Sequence, residues 1–474
     1  MLNNQKKHRF FAKSIKKLAC MSMVAVLFAS MLLGLTTKEV EAATWPSGIS
    51  VGAESAVVIE ANTGTVLFEK NAHTKRYPAS ITKILTTLLA LENCDLDETV
   101  TYSKDAVYKT EGSGIYRNVG EEMSLKDTLY AVMLESANEC AYATAEHVTG
   151  GDYDAFIQMM NDRAKALGCE NTNFTNPHGL PDEQHVTSAY DMALIAREAI
   201  QNEMFRTIVS TVRYDLPATN KSQPLAMFNH HKMISANITM KYLYQGCIGG
   251  KTGFTQVARN TLVTYAERDG MLLICVVMKC DGSTYEDTAN LFDYCFENFK
   301  VWSVAEHETR YSSDVSGGNT YMTQNEPFAK LDEDAMIILP KNADFNETEI
   351  AVSYEAGGED AMGSLVYTYA GRTVGLADVV KTGAQIDMYD FAQGDANVDT
   401  SDLAVLQGEI EQAEDQHLVG KIVIVIIIVV LAIFVFFVLR AKAASNRWRN
   451  SRHPNRQFVK IKTQKRRRRR RRRW

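Results

Sequence analysis

Residues 77–90 read YPASITKILTTLLA, and the placing of Ser80 and Lys83 within them governs how the rest of the chain is understood. Pro78-Ala79 sets Ser80 where a helix begins, with Lys83 one turn later. Residues three apart share a helix face, so the amine can reach the hydroxyl. A serine hydroxyl is a poor nucleophile until a base takes its proton, and a lysine desolvated beside another cation can become that base. The helix N-terminus adds backbone N–H groups aimed at a developing oxyanion. Alone, the pair is weak evidence, since a capping serine followed by a surface lysine is the default reading.

Two further stretches change that reading. LESANEC (residues 134–140) carries Ser136-Ala137-Asn138 after a helical segment, a second hydroxyl and an amide at a turn. GGKTGFT (residues 249–255) carries Lys251-Thr252-Gly253 ahead of a strand pair, where Gly253 lets the backbone approach a ligand closely. Each has a plain structural reading, a helix-ending turn and a loop lysine. Together, Ser-x-x-Lys, Ser-x-Asn and Lys-Thr-Gly in this order form the three-part set of penicillin-recognising serine acyltransferases.

The chain resembles the D-alanyl-D-alanine carboxypeptidases, the low-molecular-mass penicillin-binding proteins of the serine peptidase type. The resemblance spans roughly residues 53–300 and rests on NTGTVLFEKNAHTKRYPASITKILT, VGEEMSLKDTLYAVMLESANECA, MMNDRAKALGCENTNFTNPHGLP and GCIGGKTGFT. It implies a β-lactamase/transpeptidase-like domain that removes the terminal D-alanine from peptidoglycan stem peptides and is acylated by β-lactams. Carried over, Ser80 is the nucleophile, Lys83 its general base and Ser136 the proton relay to the leaving D-alanine. Asn138 bonds Lys83 and the substrate's peptide carbonyl. Lys251 keeps Lys83 neutral by like-charge repulsion and, with Thr252, attracts the substrate carboxylate. The N–H groups of Ser80 and Phe254, flanking Gly253, form the oxyanion hole. No metal or organic cofactor is implied. His178 is read as shaping a loop rather than as catalytic. Ala137 and Glu139 depart from the family's usual glycine and aspartate, and the acidic DGSTYED (residues 281–287) stands where relatives carry arginine.

Two rival readings follow from the same motifs. A β-lactamase needs a Glu-x-x-x-Asn loop to activate the deacylating water, yet Glu170 is followed directly by Asn171, so penicillin turnover should be slow. A non-enzymatic receptor for penicillin or wall peptide is the other.

Charge and hydropathy organise the remainder. The chain has 474 residues and a net charge of −6, but its 51 basic residues crowd the ends. Six lie in the first 17 residues and 17 lie in residues 440–474, neither stretch holding an acid. The interior is strongly acidic, which argues against nucleic-acid binding. Residues 1–42 read as a signal peptide: a basic start, an apolar run over 18–35 and small residues before Ala43. IVIVIIIVVLAIFVFFVL (residues 422–439) is uncharged and as a helix covers about 27 Å, so residues 418–440 are expected to span the membrane. The basic segment 441–474 behind it should be cytoplasmic, its arginines resting on anionic lipid headgroups. The catalytic part is then extracellular on a single-pass membrane protein.

Between these ends the pattern suggests an α+β domain over residues 43–300. Ser55–Glu60 and Thr65–Lys70 flank an Asn-Thr-Gly turn, helical stretches follow, and NTLVTYAER and MLLICVVMK close a second hairpin around Asp269-Gly270. The expectation is an antiparallel sheet with a helical block. Residues 301–390 carry short alternating runs typical of a small all-β domain. Residues 391–417 form an acidic linker, where Thr400 and Leu406 spoil a calcium-loop pattern. Beyond Cys20, seven cysteines make no CxxC pair and suggest neither a zinc site nor a disulfide set.

Overall fold

The computed structural model describes residues 44–310, 329–354, 357–358 and 361–381. The signal peptide, acidic linker, membrane helix and basic tail expected from the sequence lie outside the described residues. Among the described residues no helix is long and apolar enough to cross a membrane.

The first domain opens with β1 (Ser55–Glu60) and β2 (Val66–Lys70). Their turn holds Gly64 at φ +73°, a left-handed backbone that costs glycine nothing. A 3-10 turn, Ala79–Thr82, leads into α1 (Lys83–Asn93). Next come β3 (Thr99–Thr101), α2 (Lys104–Tyr108), β4 (Glu122–Ser124), α3 (Leu125–Leu134) and α4 (Asn138–Val148). Then follow α5 (Tyr153–Ala166), α6 (Ala189–Gln201), α7 (Glu203–Ser210) and the small hairpin β5 (Arg213–Leu216) and β6 (Leu225–Phe228). The chain returns to the main sheet through β7 (Cys247–Thr255), β8 (Arg259–Arg268) and β9 (Met271–Cys280), then forms α8 (Thr284–Asn298). The helices start where side chains can cap them: Ser124 accepts from Asp127 N ahead of α3, and Ser188 from Asp191 N ahead of α6.

The five main strands run in the order β2-β1-β9-β8-β7, all antiparallel. Asp269 and Gly270, both at positive φ, turn β8 into β9, and β9 then docks beside β1 with Val57 opposite Val276. That pairing buries every residue of β1, because the sheet is covered on both faces. Val57, Ile59, Ile274 and Val276 meet the helical block, whereas Val58, Leu273, Cys275 and Val277 pack on the α8 side with Leu291 and Phe292. The strand period of two thus divides one set of residues between two cores. Cys275, completely buried, packs here as a small hydrophobe.

A second, six-stranded antiparallel sheet follows. Its strands are β10 (Phe299–Ser303), β11 (Ala329–Leu331), β12 (Met336–Pro340), β13 (Glu349–Ser353), β14 (Ala361–Tyr369) and β15 (Arg372–Lys381), with the one-turn α9 (Val304–His307) after β10. Ile337, Leu339, Phe345, Tyr367 and Val374 form its own core.

One expectation needs correcting. Lys251-Thr252-Gly253 does precede the β8–β9 pair, but it is no loop: it lies inside a strand of its own, β7, at the sheet edge, with Lys251 opposite Val263 and Gly253 opposite Thr261. Its glycines hid the strand signal. They are there because the strand is squeezed: a Cβ on Gly249 would stand 2.1 Å from Val209 O, and one on Gly250 would stand 1.9 Å from Val263 O.

Candidate active site

Ser80 sits in the 3-10 turn rather than in the α-helix itself, which begins at Lys83. The residue before it, Ala79, holds φ at +53°, a strained position for a side chain with a Cβ. Its surroundings enforce the strain. Thr261 Oγ1 donates to Pro78 O at 2.7 Å and Thr82 Oγ1 donates to Ala79 O at 2.9 Å. Two glycines press from outside. A Cβ on Gly179 would lie 1.9 Å from Ala79 O, and one on Gly253 would lie 2.4 Å from Thr261 Oγ1 and 2.9 Å from Ser80 N. Gly253 therefore lets strand β7 approach the serine turn closely.

Behind this turn stands His185, which the sequence reading passed over. Thr175 N donates to its Nδ1 at 3.0 Å, which leaves the ring proton on Nε2, 2.9 Å from Thr82 Oγ1. Burial holds its pKa down at about 4, so the ring is neutral and the chain His185–Thr82–Ala79 keeps one direction.

Lys83 is fully buried. Its Nζ lies 2.6 Å from Asn138 Oδ1, 2.6 Å from the carbonyl of His178 and 3.1 Å from Ser80 Oγ. Burial pushes its pKa well below the ordinary lysine range, and the nearby Lys251 pushes it further, against a smaller opposing pull from Glu139. Burial thus outranks the like-charge repulsion expected to keep this amine neutral. A neutral amine has two N–H donors and one lone pair. The two carbonyl oxygens take the donors, which aims the lone pair at the Ser80 hydroxyl.

The second motif is equally constrained. Ser136, at φ +59°, bridges α3 and α4, and Asn138 is the first residue of α4. Asn138 Nδ2 donates to Glu111 O at 2.5 Å, fixing which amide atom faces Lys83. Buried Glu139 accepts from Ile115 N at 2.7 Å and Tyr116 N at 2.6 Å, tying down the loop that carries Glu111. Lys251 Nζ donates to Ser136 Oγ at 3.0 Å and to Thr252 O at 3.0 Å. Burial lowers its pKa to about 7. Thr252 is half-buried beside it, and the Phe254 side chain is largely exposed at the rim. His178 shapes its loop, as expected, since its Nδ1 accepts from Leu180 N. The carbonyl of the same residue, however, is a direct partner of Lys83. The turn signal Asn-Pro-His-Gly marks the loop, with Asn176 Oδ1 accepting from Gly179 N at 2.7 Å, but no side-chain pattern marks a carbonyl.

The site brings together the residues of all three motifs. A half-buried serine beside a fully buried lysine, faced by a second serine and a second lysine on a sheet edge, defines a serine enzyme that works by acyl transfer. A family model described as D-alanyl-D-alanine carboxypeptidase matches residues 39–282. The D-alanyl-D-alanine carboxypeptidase DacF of Bacillus subtilis is 32% identical over 63% of this chain and 75% of its own length. DacB2 of Mycobacterium tuberculosis is 33% identical over 52% of this chain and 82% of its own. Among solved structures, the Streptomyces K15 DD-transpeptidase aligns over 53% of this chain and 100% of its own, with 29% identity and a TM-score of 0.49. The chain belongs to the D-alanyl-D-alanine carboxypeptidase family of serine peptidases.

Proposed function

We propose that this enzyme removes the terminal D-alanine from peptidoglycan stem peptides through an acyl-enzyme on Ser80. The observation that carries the reading is the buried Lys83, whose two carbonyl partners leave its lone pair to the Ser80 hydroxyl. Lys83 takes the proton as Ser80 Oγ attacks the carbonyl of the penultimate D-alanine. The Ser80 and Phe254 N–H groups receive the oxyanion, each donor contributing roughly 3 kcal/mol. Ser136 passes a proton to the leaving amine as the C–N bond breaks, and water then attacks the ester, releasing the shortened peptide and restoring Ser80. Asn138 orients Lys83 and holds the substrate's peptide carbonyl. Lys251 and Thr252 hold the terminal carboxylate, whose charge restores the full positive charge of a lysine that burial had brought to about 7.

A β-lactam acylates the same serine and leaves slowly. Glu170, the acid that a deacylating loop would need, is exposed, and the backbone N–H of its neighbour Asn171 donates to Asp191 Oδ2 at 2.7 Å. The reaction takes place outside the membrane, with residues 418–440 as the anchor and the basic tail on anionic lipid. The charge and hydropathy pattern of the sequence supports that placement.

The test is release of D-alanine from a synthetic peptide ending in D-Ala-D-Ala by the full chain in detergent, with Ser80→Ala as control. A one-to-one penicilloyl adduct should appear by mass spectrometry and vanish in the same variant. Adduct formation without D-alanine release would favour the receptor reading, and rapid complete turnover of the antibiotic would favour the β-lactamase.

A further inference from the structure

At the other end of α1 and α4, three metal-ligating side chains converge. Cys94 caps the C-terminus of α1, Glu98 stands before β3, and His147 occupies the last turn of α4. One ligand atom from each lies within 4.8 Å of the other two, and His147 Nε2 is 3.0 Å from Glu98 Oε2. The other carboxylate oxygen, Oε1, accepts from Asp95 N at 2.7 Å, which turns Oε2 toward the imidazole. Tetrahedral zinc, with a sulfur ligand at about 2.3 Å and nitrogen and oxygen ligands at about 2.0–2.2 Å, sets its ligand atoms about 3.3–3.6 Å apart. The three side chains close to that spacing with shifts of about an ångström.

The setting suits a cation. Both α1 and α4 end here, and helix C-termini carry partial negative charge. Glu98 and the neighbouring Asp95 place two carboxylates close to the Cys94 sulfur. We propose that Cys94, Glu98 and His147 bind one zinc ion, with water in the fourth position. The Cys94 thiol releases its proton to solvent as the sulfur–zinc bond forms. The site is structural in its effect. Each helix is 11 residues long, so the ion joins their far ends about 16 Å from the near ends, which carry Lys83 and Asn138. Cysteine spacing gave no hint of it, because the third ligand comes from another helix.

The full chain, stripped with EDTA and re-equilibrated with zinc chloride, should retain one zinc per chain and melt several degrees higher than the metal-free protein. Loaded with cobalt instead, it should show a thiolate-to-cobalt charge-transfer band. Cys94→Ser should abolish that band. Cys94→Ser and His147→Ala should each weaken zinc binding at least tenfold, while metal-free D-alanine release stays at the wild-type level. Should either variant fail to fold, Glu98→Gln must still weaken zinc binding. Zinc retention equal in wild type and variants, or a charge-transfer band that survives Cys94→Ser, overturns the proposal.

Discussion

Lys83 Nζ stands 2.6 Å from Asn138 Oδ1, across 55 residues of sequence, and this contact decides which way the amine's lone pair points. The same contact yields the sharpest test of the base assignment. Asn138→Asp keeps the shape but sets a carboxylate beside Lys83, which stabilises the ammonium and raises its pKa by about 1–3 units. D-alanine release at neutral pH should fall by about 10²-fold or more, with the acid limb of the kcat/KM profile displaced to higher pH. An unmoved acid limb would count against Lys83 as the base.

Lys251→Met should separate two effects. Loss of the neighbouring cation lets the Lys83 pKa rise, so activity should again need higher pH. Because burial is the larger cause of the Lys83 shift, the displacement should be about one unit or less. Loss of the carboxylate partner should raise KM for peptides ending in a free carboxylate far more than for an amidated analogue. Steady-state kinetics on both substrates checks this.

Ser136→Ala removes the hydroxyl that lies 3.0 Å from Lys251 Nζ. Loss of a proton relay should lower kcat by about 10²–10⁴-fold with a smaller change in KM. Wild-type turnover would remove Ser136 from the mechanism.

Gly179→Ala tests the strained turn. The new Cβ would meet Ala79 O at 1.9 Å, and the backbone there has φ +85°. Backbone, not a flexible side chain, has to give way, so stability should drop by about 2 kcal/mol or more. Penicillin acylation should slow with it, because Ser80 N and Oγ move with the turn. Thermal melts and adduct-formation rates measure both.

His185 links stability to acid. Its folded pKa of about 4 lies below the ordinary histidine value near 6.5, so between these values the unfolded chain binds a proton that the folded chain does not. Its contribution is complete above the unfolded pKa and is lost as pH falls toward the folded one, to a total of about 3 kcal/mol. Buried His231, held at about 3, adds to the same trend. The melting temperature should fall from pH 6.5 to 4, and His185→Gln, which keeps a donor toward Thr82, should flatten that slope.

Much of the fold was legible because its signals are local. Gly64 in the first hairpin turn and Asp269-Gly270 in the second take the positive φ that such turns need. The Lys-Thr-Gly strand was not legible. Its glycines answer to Val209, Val263 and the Ser80 turn, all distant in sequence. His185 escaped notice for a similar reason, since its partners Thr82 and Thr175 belong to different segments.

By itself the sequence determined which reactive groups exist, their order and the turns and caps that start each element, since these depend on neighbours along the chain. Only the tertiary structure decided that burial pushes the Lys83 pKa down, that a histidine carbonyl faces its amine, and that Cys94 meets His147. Desolvation and convergence are properties of three-dimensional surroundings, assembled here from residues more than fifty positions apart.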